Sequence, residues 1–283
     1  IPLYLLIFSS ILNVVLDIVM VASFGMGVAG AAWATLIAQG ISAVISFMIL
    51  LRTLRDFNET PDRLFSPALM RPIAGLALPS ILQQSTVSIG MMLVQSVVKS
   101  FGAEALAGFS AAMRLESIAV VPMAAIGNAM SSYTAQNIGA GKLGRVVKGY
   151  HTAYGIVAVI ALIIMLPLEL FSDELIYLFL GDDGTAAAMD TGISYITFMG
   201  WFFIFIGMKM ITDGLLRGSG DMKVFTIANI VNLSIRVLVA FIFAPLYGIE
   251  MVWIAVPIGW AANWIISYWG YHTGKWKSRL RIR

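Results

Sequence analysis

Cysteine is absent from the 283 residues, and histidine appears twice. Without thiols there is no disulfide framework, no thiolate nucleophile and no Cys-based zinc spacing. Charge is scarce too. Asp, Glu, Lys and Arg make up 12% of the chain, against roughly 25% in an average soluble domain. A water-exposed globule of this size cannot cover itself with so few charges, and a disordered chain is poorer in apolar residues. What fills the chain is apolar: 59% hydrophobic residues, 16 Met and 16 Phe, at a mean hydropathy of +0.89. That is the composition of a polytopic membrane protein. The net charge of +3 carries no nucleic-acid reading, because the basic residues punctuate apolar runs and do not cluster with aromatics on a polar face.

A spanning helix needs about 20 apolar residues at 1.5 Å each. On that measure the sequence predicts an all-α protein with eight spans, near 1–23, 28–51, 72–98, 103–133, 145–168, 186–216, 224–244 and 250–272. Phe171–Leu180 is apolar but short and acidic at its start, and reads as an interfacial helix or loop edge. The one long polar interruption, 52–71, centres on Asn58, Glu59, Thr60, Pro61 and Asp62. It divides the chain into 1–51, two helices ending a first bundle, and 72–283, a six-helix bundle with a basic tail. Ile1 already lies in an apolar run, with no basic n-region and no cleavage site. The expectation is that the chain begins inside a longer protein.

Alternating the connections across the membrane places 14 of the 18 basic residues on one side. They are Arg52, Arg55, Arg63, Arg71, Lys142, Arg145, Lys148, Arg217, Lys223, Lys275, Lys277, Arg279, Arg281 and Arg283. Lys99 stands alone on the other side among Glu104, Glu169, Asp173, Glu174, Asp182, Asp183 and Glu250. Basic loops stay cytoplasmic, so the linker and the C-terminus are expected in the cytoplasm. Asn13, Phe24, Gly27 and Trp33 line up, with small gaps, against Asn232, Phe243, Gly248 and Trp253. This hints at two parallel helix-bundle repeats, a plan transporters use.

Gly25-Met-Gly27-Val-Ala-Gly30 matches a dinucleotide fingerprint in letters only. A membrane-length run precedes it, and the next acid is Asp56. It reads as a hairpin turn whose small residues let two helices approach. His151 and His272 sit near cytoplasmic span ends, and no hydrolase or metalloprotease motif accompanies them. Polar residues inside spans are more informative, since a mid-membrane carboxylate costs about 2.5–3.5 kcal/mol on insertion scales. Asp17 is the clearest. Asn13 is one turn earlier on the same face, and Thr35 is as far beyond a turn at Met26 as Asp17 is before it. Equal spacing predicts equal depth, about 13 Å below the turn. The three side chains then offer hard oxygen ligands for Na⁺ or a proton; otherwise Asp17 pairs with a basic residue as structural glue. Gln83 and Gln84, after the helix-kinking Pro79, either line a cavity or bond neighbouring helices. Lys209 and Arg236 face the bundle interior. Arg114 and Glu116 are two apart and do not face each other.

Together, Asn13-x-x-x-Asp17 and Gly27-Val-Ala-Gly30-Ala-Ala-Trp33-Ala-Thr35 resemble the fifth and sixth helices of the multidrug and toxic compound extrusion (MATE) transporters. Phe101-Gly-Ala-Glu104-Ala-Leu-Ala, Arg114-Leu-Glu116, Pro122 and Gln136-Asn-Ile-Gly-Ala-Gly-Lys142 resemble their seventh-to-ninth-helix region, and Leu216-Arg-Gly-Ser-Gly-Asp221 the turn after their tenth. The resemblance implies a cation-coupled antiporter of two six-helix bundles that exports small, often cationic, compounds by alternating access. It maps the family's first-bundle cation ligands onto Asn13, Asp17 and Thr35; the fourth, an Asp of the first helix, has no counterpart here. It implies no cofactor beyond the coupling ion, Na⁺ or H⁺, and no metal other than Na⁺ at that site. The second-bundle acids of some members are unmatched, with Gln83 and Gln84 in the seventh-helix region. Gln83, Gln84 and Lys209 are the substrate-cavity candidates. The expected partners are a small-molecule substrate and the bilayer of a bacterial inner membrane, for a monomer that binds no nucleic acid. Two other readings stay open: a flippase of lipid-linked saccharides, and a membrane-embedded enzyme, for which the distant histidines supply no acid/base set.

Overall fold

The computed structural model describes residues 2–55, 67–182 and 184–277. The centre of the 52–71 linker, Asp183 and the tail arginines at 279, 281 and 283 lie outside the described residues. The described residues are helical throughout, with no strand. Backbone groups have no water to bond in a hydrocarbon core, and a helix satisfies them within one segment.

Two units divide at residues 66 and 67. The first, Ile1–Ser66, is a helical hairpin of α1 (Pro2–Asp17), a π-helical turn (Ile18–Ser23) and α2 (Gly27–Arg55). Gly25 and Gly27 take positive φ, 63° and 55°, in the turn between them. The hairpin reading of the glycine motif therefore holds. Helix α2 runs one turn beyond the expected limit at Leu51, where Arg52 and Arg55 complement the negative end of its dipole.

The second unit, Pro67–Arg283, begins with α3 (Pro67–Lys99), α4 (Ala103–Gly139), α5 (Leu143–Leu170) and a short α6 (Ser172–Leu180). It continues with α7 (Ala186–Gly200), α8 (Phe203–Gly218), α9 (Met222–Tyr247) and α10 (Glu250–His272). Helix α3 starts at Pro67, five residues before the expected 72, because a proline fits the first helical position. The apolar stretch after α5 is a helix, with Asp173 and Glu174 in its first turn and Ile176 fully buried.

Among the described residues seven helices are long and apolar enough to cross a membrane, and α7 with α8 makes an eighth. The expected continuous span 186–216 is in fact bent by 57°. Gly200 weakens the helix at the break. Phe198, Phe202 and Phe205 pack together across it, and Phe203 is fully buried. The bend is thus pinned on both arms.

Helix α4 is the centre of the second unit. Its Gly127 faces α8 so closely that a Cβ there would lie 2.7 Å from the Met210 carbonyl oxygen. A Cβ on Gly214 would in turn overlap the Gly127 carbonyl, and one on Gly218 the Ser131 carbonyl. Gly127 and Ser131, like Gly214 and Gly218, are four apart, so small residues line both facing helices. Beside this seam, Tyr150 and Tyr154 of α5 bond the Thr212 hydroxyl of α8 at 3.0 and 2.7 Å. Trp264 of α10 donates to the Tyr154 oxygen at 2.8 Å. Helices α5, α8 and α10 are tied together by neutral polar groups that would be expensive to leave unpaired in lipid.

Candidate functional site

In the first unit three hydrogen bonds set the register of α1 against α2. Ser42 donates to the Leu5 carbonyl at 3.4 Å, Ser9 to the Ala38 carbonyl at 3.4 Å, and Asn13 Nδ2 to Thr35 Oγ1 at 3.2 Å. Thr35 therefore opposes Asn13, and Asp17 lies one turn nearer the connection. The equal-depth expectation for Asp17 and Thr35 differs from this because it assumed an α-helix up to Met26. The segment Ile18–Ser23 is π-helical instead, with Phe24 N bonding Val19 O and Met26 N bonding Met20 O. Longer-range hydrogen bonds pack more residues into each turn, which shifts the register.

Asn13, Thr35, Ser9, Ser10, Gln39 and Ser42 line a polar depression of about 320 Å³ on this hairpin. Asp17 does not line it; one turn beyond Asn13 on α1, it is half-buried, and its Oδ1 is shielded from solvent with no hydrogen-bond partner among the described residues. The Thr35 hydroxyl donates to the Ala31 carbonyl at 3.0 Å and accepts from Asn13, which leaves it one lone pair. The donor set is thus one carboxylate, one amide oxygen and one hydroxyl, all hard oxygens suited to Na⁺ or a proton. No cluster of three His, Cys, Asp or Glu side chains, such as a transition metal would need, occurs among the described residues.

The second unit holds a polar centre of which the sequence pointed only to Gln83 and Lys209. Lys209 Nζ lies 2.9 Å from Asp213 Oδ2, one turn along α8, with both side chains about 10% exposed or less. Asn229 of α9 donates to the same oxygen at 3.4 Å, and Ser267 of α10 donates to Oδ1 at 3.1 Å. A Lys-x-x-x-Asp spacing inside a span was the available signal; the partners from α9 and α10 had none. Gln83 and Lys209 line one cavity of about 110 Å³ with Asp213, Asn128 and Arg217. Gln84 is exposed and does not line it. Arg217 belongs to this interior too, bonding Asn128 Oδ1 at 2.7 Å, where the sequence placed it in a loop.

Glu116 is buried and accepts a hydrogen bond from Tyr195 of α7, while Arg114 is exposed, so the two do not pair. Arg236 reaches Met91 Sδ at 3.7 Å. His151 and His272 pack beside tyrosine rings and form no acid/base pair.

Comparison with known proteins gives these sites a context. The chain is 30% identical over 279 residues to the Probable multidrug resistance protein YpnP of Bacillus subtilis, covering 98% of this chain and 62% of that protein. It superposes with a TM-score of 0.86, at 27% identity, on the outward-facing conformation of a multidrug resistance MATE family transporter of the MOP superfamily. It does so equally well, at 28% identity, on a MOP superfamily transporter from Pyrococcus furiosus. Each superposition covers 97% of this chain and 62% of the other. The chain therefore spans about 62% of the length of these relatives. Their kinship to transporters, and not to enzymes, sets the membrane-enzyme reading aside. With the MatE family pattern matching residues 79–242, in a chain of membrane-spanning helices that repeats the fold of solved MATE transporters, this protein belongs to the MatE family of multi-pass membrane transporters.

Proposed function

We propose that the protein exports small organic molecules, coupled to entry of Na⁺ or H⁺, by alternating access in a bacterial plasma membrane with its C-terminus cytoplasmic. One observation carries the coupling reading. Asp17 is the only acid in α1 and α2, and its shielded Oδ1 has no partner among the described residues. A buried carboxylate oxygen left unpaired is unfavourable unless a proton or cation completes it. Asn13 lies one turn before it on α1, and Thr35 of α2 bonds Asn13.

Occupied and empty forms of such a group favour different conformations, so the ion shifts the equilibrium between them. One positive charge entering down a 100 mV potential supplies about 2.3 kcal/mol, and an ion gradient adds to it. The multidrug naming of YpnP supports small organic compounds as cargo; the bilayer is the other partner in this reading, and a monomer the working unit.

The test is Asp17→Asn, which keeps size and hydrogen bonding while removing the charge. The variant should insert and fold as the parent does but lose efflux driven by a Na⁺ or pH gradient. Asn13→Ala and Thr35→Ala should each be partly impaired. Normal gradient-driven efflux by Asp17→Asn would make Asp17 structural and end the mechanism.

A further inference from the structure

Charge is unbalanced at the small cavity lined by α3, α4, α8 and α9. Its polar lining is Gln83, Asn128, Lys209, Asp213 and Arg217, two cations against one anion. Asp213 is already engaged, since Lys209, Asn229 and Ser267 donate to its two oxygens at 2.9, 3.4 and 3.1 Å. Arg217 is not balanced in this way. Its guanidinium donates to Asn128 Oδ1 at 2.7 Å and to Ser131 Oγ at 3.4 Å, and it has no carboxylate partner among the described residues. Those acceptors are neutral. They satisfy two of its five N–H groups and carry no negative charge.

The spare hydrogen-bonding capacity has the same sign. The side-chain amides of Gln83 and Asn128 donate to nothing among the described residues, and Lys209 retains two further protons. The cavity is rich in donors, and its carboxylate is spent. An arginine fork matches the geometry of a carboxylate or phosphate. The volume, about 110 Å³, sets the scale of the occupant. It admits a few water-sized groups, each of about 30 Å³, and is well below the roughly 300–1,000 Å³ of a site for a whole drug-sized molecule.

We propose that this cavity is a subsite for the carboxylate or phosphate group of an amphipathic organic molecule, with Arg217 as its counter-charge and Gln83 and Asn128 as amide donors. The inference gives the cargo of the proposed exporter an acidic end. It rests on that reading for its purpose alone. Binding is measured at equilibrium on purified protein without an ion gradient, so its failure leaves gradient-driven efflux standing, and failure of efflux leaves binding standing.

Two sources offer the same chemistry, a soluble substrate and the phosphate of a membrane lipid, and the experiment separates them. The full chain in phosphatidylcholine nanodiscs is titrated calorimetrically with benzoate, phenyl phosphate and benzylamine. Benzoate or phenyl phosphate should bind at least tenfold more tightly than benzylamine. Gln83→Glu breaks no existing side-chain hydrogen bond and places a second anion in the cavity. It should weaken the anions by tenfold or more, equivalent to about 1.4 kcal/mol. Arg217→Gln should do the same and Arg217→Lys should retain part of the binding. A second arm uses phosphatidylglycerol nanodiscs and native mass spectrometry. If lipid is the source, benzoate no longer binds there, and retained phosphatidylglycerol falls in Gln83→Glu; if a soluble molecule is the source, benzoate binds in both lipids. Benzylamine binding as tightly as benzoate would overturn the proposal. So would a Gln83→Glu variant that changes neither anion binding nor lipid retention, or a parent that shows neither.

Discussion

Replacing Lys209 by Met removes one charge of a buried pair while keeping a long, flexible side chain. Lys209 Nζ and Asp213 Oδ2 are 2.9 Å apart, so at an effective dielectric of 20 their gross attraction is about 6 kcal/mol. Desolvation offsets much of that, and the net worth of the intact pair is small. Breaking it is another matter. Asp213 would keep only the neutral donors Asn229, at 3.4 Å, and Ser267, at 3.1 Å, around a full negative charge. Leaving a buried charge uncompensated typically destabilises by about 3–5 kcal/mol. For a folded unit of this size that is a fall in Tm of roughly 6–20 °C. Asp213→Asn should do comparable damage by stranding the ammonium. The double variant Lys209→Met/Asp213→Asn should recover most of the loss, because Asn still accepts from Ser267 and no charge remains. Thermal unfolding in detergent, followed through the seven tryptophans, reads all four proteins on one scale. A Lys209→Met variant within about 2 °C of the parent, or a double variant as unstable as the sum of the singles, would refute the ion-pair account.

The other predictions concern packing and orientation. Gly214→Ala should cost about 1–3 kcal/mol, since its Cβ overlaps the Gly127 carbonyl across the α4–α8 seam. Gly155→Ala on α5 meets open space and should stabilise by about 0.5–1 kcal/mol through helix propensity; equal Tm values for the two variants would discredit the seam. For topology, the absence of native cysteine allows single-Cys labelling in intact cells. Cys at Ser100 should react with an impermeant maleimide and Cys at Lys142 should not, whereas the opposite pattern would invert the assigned orientation.

Two hairpin turns show how sequence and structure divide the work. Gly27 and Gly248, which the hinted repeat aligns, both sit at hairpin turns with positive φ, 55° and 101°.

 Side chains bearing a Cβ rarely adopt either value, so a local rule of backbone sterics is enough to mark both turns.

Much else that is local was legible in the same way. Hydropathy adds residue by residue, so the eight spans, the short acidic-headed helix after α5 and the membrane setting all follow from composition and run length. Asp17 stood out for a similar reason, since a lone carboxylate in an apolar run is conspicuous wherever the helix later packs. What only the tertiary structure decided depends on which faces meet. A π-helical turn after Asp17 moved Thr35 opposite Asn13, and no hydropathy sum registers a change of helix type. Gly214 looked like any helix glycine until α4 lay against it. Asp213 carried no sequence signal of its partners, because Asn229 and Ser267, which close around it, lie 16 and 54 positions away. Burial of a span in lipid is a property of its own residues, whereas register, close approach and polar pairing are properties of two helices at once, and the second helix is not written in the first.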